Sequence, residues 1–289
     1  MLQPFRLEEP PSIGEASQLL ARYGDSAKLY AGGTELLLVM KEGLLQYEHL
    51  INIKLIPELT RMAIQDGVLH IGAAITHRTL EQSPLVQRHF PTLAGVEANV
   101  ANVRVREVGT LGGNLCFAEP HADPGTLLQV YDATVQLERH GSSRQLPVEE
   151  LFVDSFEVDI EEDELLTSIQ VPVLVPNTAV AYRKFGFLER PSVGVAVAVT
   201  ATPEQLHTVK LAVGCVGPIP RRMREVEDLL SGKGIDDARG AMETAMQMAG
   251  QAADAVTDLH GSAEYKAYLV GVLLRQAFEE AYETALVTA

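Results

Sequence analysis

Two glycine pairs carry most of the chemistry that this sequence can offer. The first lies in Leu29-Tyr30-Ala31-Gly32-Gly33-Thr34-Glu35-Leu36, between a predicted strand and a predicted helix start. Glycine has no Cβ, so its backbone can take φ > 0 and come close to a ligand. N–H groups exposed at a helix start attract an anion, and a phosphate is the natural guest. Taken alone, a Gly-Gly pair marks a tight turn more often than a binding loop. The second pair lies in Gly109-Thr110-Leu111-Gly112-Gly113-Asn114, followed by Cys116, Ala118, Pro120 and Asp123. Its hydroxyl and amide side chains can donate to phosphate oxygens. Two such turns can grip a pyrophosphate from two sides, as a dinucleotide cofactor requires. Asp123 can accept from a ribose or a ring nitrogen, or can cap the helix that Pro124 opens.

Other chemistries find no support. The chain has no G-x-G-x-x-G, no G-x-x-x-x-G-K-[ST] and no G-x-S-x-G. Its two cysteines, Cys116 and Cys215, form no C-x-x-C pair. That excludes a zinc finger, and an all-cysteine iron–sulfur site needs about four thiolates. The formal net charge of −16 argues against a nucleic-acid surface. No apolar run approaches the ~20 residues of a membrane span. The first residues lack the regions of a signal peptide. With no disulfide framework, the expected location is the reducing cytoplasm.

The elements that must position the glycines read as follows. Ser12-Ile13-Gly14-Glu15 is a capping box. Ala16, Leu19, Leu20 and Tyr23 then share one helix face, and Gly24 stops the helix. A strand over 28–31 leads into Gly32, and a helix over 35–41 leads out and ends near Gly43. Residues 50–53 read as a strand, with Pro57 closing it or opening a turn. Met62–Gln65, Asp66-Gly67 and Val68–Ile71 form a hairpin pattern. Helices are predicted over 76–82, 91–101 and 123–130. A second hairpin spans 133–138 and 144–148 around Gly141, and a strand spans 164–171.

Pro172 to Asn177 is the expected domain boundary, with residues 1–176 before it (parts of about 1–56 and 57–176) and 177–289 after it. Beyond it come three strands, near 179–185, 192–201 and 207–216. Val193, Val195, Val197 and Val199 alternate with small residues, which suits a strand with one face on a core. Helices follow near 221–230, 236–249 and 263–285, the last expected to bury Tyr265, Tyr268, Leu269 and Val272. Strands followed by helices argue an α+β unit, a small sheet under a helical layer.

Taken together, these motifs resemble one family. Ala31-Gly32-Gly33-Thr34-Glu35-Leu36-Leu37 is similar to the first flavin loop of the FAD-binding medium subunit of molybdenum hydroxylases, the xanthine dehydrogenase and carbon monoxide dehydrogenase type. Thr110-Leu111-Gly112-Gly113-Asn114-Leu115 with Ala118, Pro120 and Asp123 resembles the second. Glu164 to Ile169, Tyr182-Arg183-Lys184, Gly217 to Arg222 and Gly261 to Tyr265 resemble later markers, in order along nearly the whole chain.

The resemblance implies a two-part FAD domain of the vanillyl-alcohol-oxidase (PCMH) type, then a C-terminal domain of a three-stranded sheet and a helical bundle. It implies that Leu29, Tyr30, Ala31, Gly32, Gly33, Thr34, Glu35 and Leu36 wrap the FAD pyrophosphate. Thr110, Leu111, Gly112, Gly113 and Asn114 hold it from the other side. Val100, on the helix before that loop, packs on the cofactor. Asp123 binds a polar group, Leu166 lies against the flavin, and Lys184 approaches from the second domain. In the family a molybdenum-cofactor large subunit hydroxylates the substrate. A small subunit with two 2Fe-2S clusters relays electrons to FAD, which reduces NAD, dioxygen or a quinone. Such partners, in a dimer of heterotrimers, are expected here, and no residue of this chain is expected to be an acid, base, nucleophile or metal ligand. The departures are Glu35, where the family often has Asp, and Arg106-Glu107, where it often has Arg-Asn. The alternatives are a free-standing FAD enzyme acting directly on a small substrate and a binding module that has lost FAD.

Four further features have plainer readings. His77 is either near the flavin or a surface residue at a helix start. Cys116 and His121 are too few for a metal, and Cys116 reads as a buried free thiol. Arg221, Arg222 and Arg224 read as a solvated helix start. Glu161-Glu162-Asp163-Glu164 reads as an exposed turn.

Overall fold

The computed structural model describes residues 2–186 and 189–287. Three main sheets organise it. The first is parallel, with the strands Arg6–Glu8, His49–Asn52 and Ala27–Tyr30 side by side in that order. Parallel neighbours need crossovers, and the helices Ile13–Tyr23 and Leu36–Lys41 supply them. Ser12 caps the first helix by accepting from the Glu15 N–H, a contact worth about 1 kcal/mol. Gly24 ends it at φ +50°.

The second sheet is antiparallel, in the order Met62–Gln65, Val68–Gly72, Leu165–Pro172, Thr134–Arg139, Ser142–Pro147. Both hairpins form, the first on Asp66 (φ +50°) and Gly67 (φ +77°). The strand Leu165–Pro172 lies between them and joins segments far apart in the chain. Six short helices fill the excursion between Gly72 and Thr134. Three of them, Pro84–His89, Val103–Val108 and Leu111–Phe117, are not predicted from apolar spacing, because each is only one or two capped turns. Ser83 caps the first and Asn102 the second. The helix expected over 91–101 stops at Glu97. Val100 therefore lies in the turn after it, where Arg106 donates to the carbonyls of Val100 and Ala101.

The third sheet is antiparallel: Thr178–Phe185, Val193–Ala201, Leu206–Gly214 and Arg221–Arg222. The two-residue fourth strand corrects both the three-stranded expectation and the reading of the Arg cluster. Arg222 is buried, donating to Glu227 at 2.6 and 2.9 Å and to Asp132 at 3.1 Å. The helix starts only at Arg224.

The long helix Ala263–Val287 covers one face of this sheet, with Ile235–Ala252 packed against that helix, and both share a core with Val193, Val195, Val197 and Val199. The other face is buried too. Ala196, Ala198 and Ala212 belong to the core of the second sheet and its helices. The alternation of large and small residues thus separates two cores rather than a core from water. On the last helix, Leu269, Leu273, Phe278 and Tyr282 face inward, while Tyr265 and Tyr268 are exposed, against the expectation. Among the described residues no helix is long and apolar enough to cross a membrane.

Candidate functional site

The first glycine bend follows the strand Ala27–Tyr30. Gly33 takes φ +73°, which a side chain would strain, and a Cβ there would meet the Tyr30 ring at 2.3 Å. A Cβ on Gly32 would lie 2.4 Å from the Val108 carbonyl oxygen and 2.7 Å from the Gly109 Cα. The two bends therefore touch, backbone to backbone. Among the described residues, the N–H groups of Gly32, Gly33, Thr34 and Glu35 hydrogen-bond no protein atom.

The second bend is not a loop but a helix start. Thr110 is the N-cap of the helix Leu111–Phe117, and its Oγ1 accepts from the Gly113 N–H at 3.1 Å. The Leu111 N–H donates to the Ile75 carbonyl, Gly112 to Ala73, and Asn114 to Thr110. A Cβ on Gly112 would lie 2.6 Å from that of Ala73. Gly112 is thus required by packing on Ala73. Its N–H is already bonded, so the expectation that these glycines offer free donors fails for the main chain here. What remains is the Asn114 side chain, whose buried Oδ1 has no partner.

Between the bends lies a cleft of about 950 Å³, near the top of the ~300–1,000 Å³ usual for ligand sites. Leu29, Ala31, Gly32, Gly33, Thr34, Glu35, Leu36, Val100, Thr110, Gly112, Gly113, Asn114, Asp123 and Leu166 all line it. Tyr30, Leu111 and Lys184 do not. Tyr30 supports Gly33 from behind, with Lys54 Nζ 4.2 Å over its ring. Leu111 is fully buried in the core beneath the bend. Lys184 reaches past the wall to Asp123 and to the Asn99 carbonyl.

Asp123 is not a cap. Ala122 holds that position, and Asp123 stands first in the helix Asp123–Val130. Its carboxylate accepts from Tyr182 Oη and Lys184 Nζ, each at 2.7 Å. Both donors stand on the strand Thr178–Phe185, so the pair fastens the cleft wall to the third sheet. Burial and the Asp123 charge push the Tyr182 hydroxyl well up, so it stays a donor.

The rim and floor hold residues that no motif announced. Arg190 lies 3.7 Å from Glu35 and 4.0 Å from Glu119, spanning both bends. His121 Nδ1 faces Glu119 at 3.1 Å and Nε2 faces Asp258 at 3.0 Å. Both nitrogens face carboxylates rather than Cys116, and among the described residues no group of three His, Cys, Asp or Glu could hold a metal. Burial alone would raise the Asp258 pKa, but donors from Lys266, the His260 N–H and His121 hold its carboxyl at about 2. Cys116 is half-buried on the wall, and burial pushes its thiol up to about 12, so it is neither nucleophile nor ligand at neutral pH. His77 is buried, not on the surface, and its ring lines the cleft. Glu107 is exposed, while Glu164 is buried and held by Arg144 at 2.9–3.2 Å, which keeps its carboxyl below the usual range. That corrects the reading of the acidic run as wholly exposed.

The arrangement fits a flavin dinucleotide. It offers four open main-chain donors, an unpartnered buried amide oxygen, and glycines where a Cβ has no room. The comparisons agree. Residues 3–174 match the model of the FAD binding domain in molybdopterin dehydrogenase, and 190–281 that of the CO dehydrogenase flavoprotein C-terminal domain. The chain belongs to this family of FAD-binding medium subunits, the carbon monoxide and xanthine dehydrogenase type, and is an oxidoreductase subunit that uses FAD. It is 32% identical to the carbon monoxide dehydrogenase medium chain of Hydrogenophaga pseudoflava, over 98% of this chain and 99% of the other. It is 31% identical to the nicotine 6-hydroxylase medium subunit of Paenarthrobacter nicotinovorans, over 97% and 98%. A solved structure of the Hydrogenophaga pseudoflava carbon monoxide dehydrogenase, lacking the Mo-pyranopterin moiety, superposes with a TM-score of 0.94 at 31% identity, over 98% and 99%.

Proposed function

We propose that this chain is the electron-exit subunit of a heteromeric molybdenum hydroxylase. Its partners are a large subunit with the molybdenum cofactor and a small subunit with two 2Fe-2S clusters, assembled as a dimer of heterotrimers. Bound FAD would supply a two-electron store between single-electron donors and NAD, dioxygen or a quinone. The observation that carries this reading is the meeting of the two glycine bends across one cleft.

The chain's own residues bind and orient. The open N–H groups of Gly32 to Glu35, with Thr34 and Asn114, would hold the pyrophosphate. Leu29, Val100 and Leu166 would supply apolar wall. Asp123 would accept from a polar group while Tyr182 and Lys184 hold it still, and Lys184 would act as a fixed positive charge. No side chain is assigned as acid, base or nucleophile. The substrate is set elsewhere: relatives named for carbon monoxide and for nicotine are similar to this chain at 32% and 31% identity.

The test is reconstitution. Purified chain mixed with FAD should retain flavin absorbance after desalting. It should turn over no small donor alone, yet be reduced when the molybdenum and iron–sulfur subunits and their substrate are added. Turnover by the isolated chain would favour a free-standing enzyme instead.

A further inference from the structure

The cleft presents a charge problem. A dinucleotide brings a diphosphate anion, but the wall is mostly acidic, with Glu35, Glu119, Glu157, Glu161 and Glu162 along it, while its cations are Lys28 and Arg190, the latter beside Glu35 and Glu119. Neither bend contains Lys or Arg. From Leu111 to Asn114 the second bend has its main-chain donors bonded inside the protein. One imidazole sits where the bends meet. His77 Cδ2 lies 3.2 Å from the point a Gly109 Cβ would occupy, and Thr34 Oγ1 lies 3.6 Å from the same point. The His77 N–H also donates to the Gly109 carbonyl at 3.0 Å, which locks the residue to the bend.

The ring is held in one orientation. Nδ1 lies 2.5 Å from Glu97 Oε2, and Glu97 is fully buried with its other oxygen unpartnered. Nε2, the ring neighbour of Cδ2, hydrogen-bonds nothing among the described residues. The other charged groups packed nearby neutralise one another: Glu81 accepts from Arg78 at 2.6 Å and from Arg106 at 3.1 Å. A buried carboxylate behind one ring nitrogen and a cleft before the other is the layout of an oriented cationic donor.

We infer that His77 is a diphosphate-binding cation of this cleft, placed where the two bends meet. Glu97 holds a proton on Nδ1, and Nε2–H donates to a phosphate oxygen of FAD. This rests on the flavin reading above and adds to it a residue outside both glycine bends.

The test compares FAD with riboflavin, which has the flavin ring and no phosphate. Both are titrated into the full apo chain by flavin fluorescence. His77→Asn keeps an amide toward Glu97 and has nothing at the Nε2 position. It should weaken FAD about ten- to a hundredfold, as for a lost charge-assisted hydrogen bond, and leave riboflavin unchanged. Equal weakening of both, or of neither, would overturn the inference. Should the variant not fold, ¹⁵N-histidine spectra of the wild-type chain decide. A proton on Nε2 in the FAD complex supports the assignment, and a bare Nε2 refutes it. If the wild-type chain bound neither ligand, the flavin site itself would fall, and this inference with it.

Discussion

The bend at Gly32 to Glu35 leaves its main-chain N–H groups without protein partners, whereas those from Leu111 to Asn114 are all bonded inside the chain. Both read as Gly-Gly followed by a polar side chain. Gly33 is there for its φ of +73°, Gly112 for the space against Ala73. The second bend is also braced from the far domain, because the segment just beyond it carries Asp123 on Tyr182 and Lys184, and His121 on Asp258. Among the described residues the first has one ion pair, Glu35 with Arg190. The lesson is that one jaw of the cleft is fixed scaffold and the other supplies the donors.

The largest effect expected from breaking this contrast comes from Gly32→Ala. The added methyl would push on backbone at 2.4 Å and force the jaws apart. Overpacking of this kind costs about 1–3 kcal/mol, so FAD affinity should fall by about a hundredfold, read as flavin lost on desalting. An unchanged affinity would mean that the jaws do not meet when FAD is bound.

The brace can be weakened next. The Asp258 carboxyl is held at about 2, below its unfolded value near 3.9. Its contribution, about 2 kcal/mol, is therefore full above pH ~4 and is lost as pH falls through ~2. Asp258→Asn should destabilise the chain by about that amount in denaturant melts at pH 7, and the gap to wild type should narrow between pH 4 and pH 2. A gap independent of pH would show that the carboxylate's charge is not what braces the second bend.

Thr110→Ala removes the cap on Gly113 and should cost about 1 kcal/mol of stability, read in denaturant melts. Smallest in energy is hydrogen exchange. In the apo chain the amides of residues 32–35 should exchange fast and gain protection with FAD, while those of 111–114 stay protected throughout. Equal rates in the two bends would erase the distinction between them.

Where a rule of local chemistry applied, the sequence was legible. Ser12, Gly24, the Asp66-Gly67 turn and the valine alternation all located their elements. The family resemblance placed the cleft walls. Short helices such as Val103–Val108 escaped because two turns carry no period, although Asn102 offered a cap to notice. The fourth strand escaped because it is two residues long. Tyr265 and Tyr268 were misplaced because the inward stripe of the last helix runs one position later, through Lys266 and Leu269. Arg222 and Glu164 looked exposed because their partners, Asp132 and Arg144, are distant in sequence. The same holds for Arg190 and for Glu97 behind His77: a long-range pairing of charges leaves no local pattern to read.

The strand Val193–Ala201 gives its valines to one interior and Ala196 and Ala198 to another. Neither half can melt without stripping a side of that strand, so heat should unfold the whole chain in a single step. Flavin bound in the groove should therefore raise the melting point of both halves by the same amount.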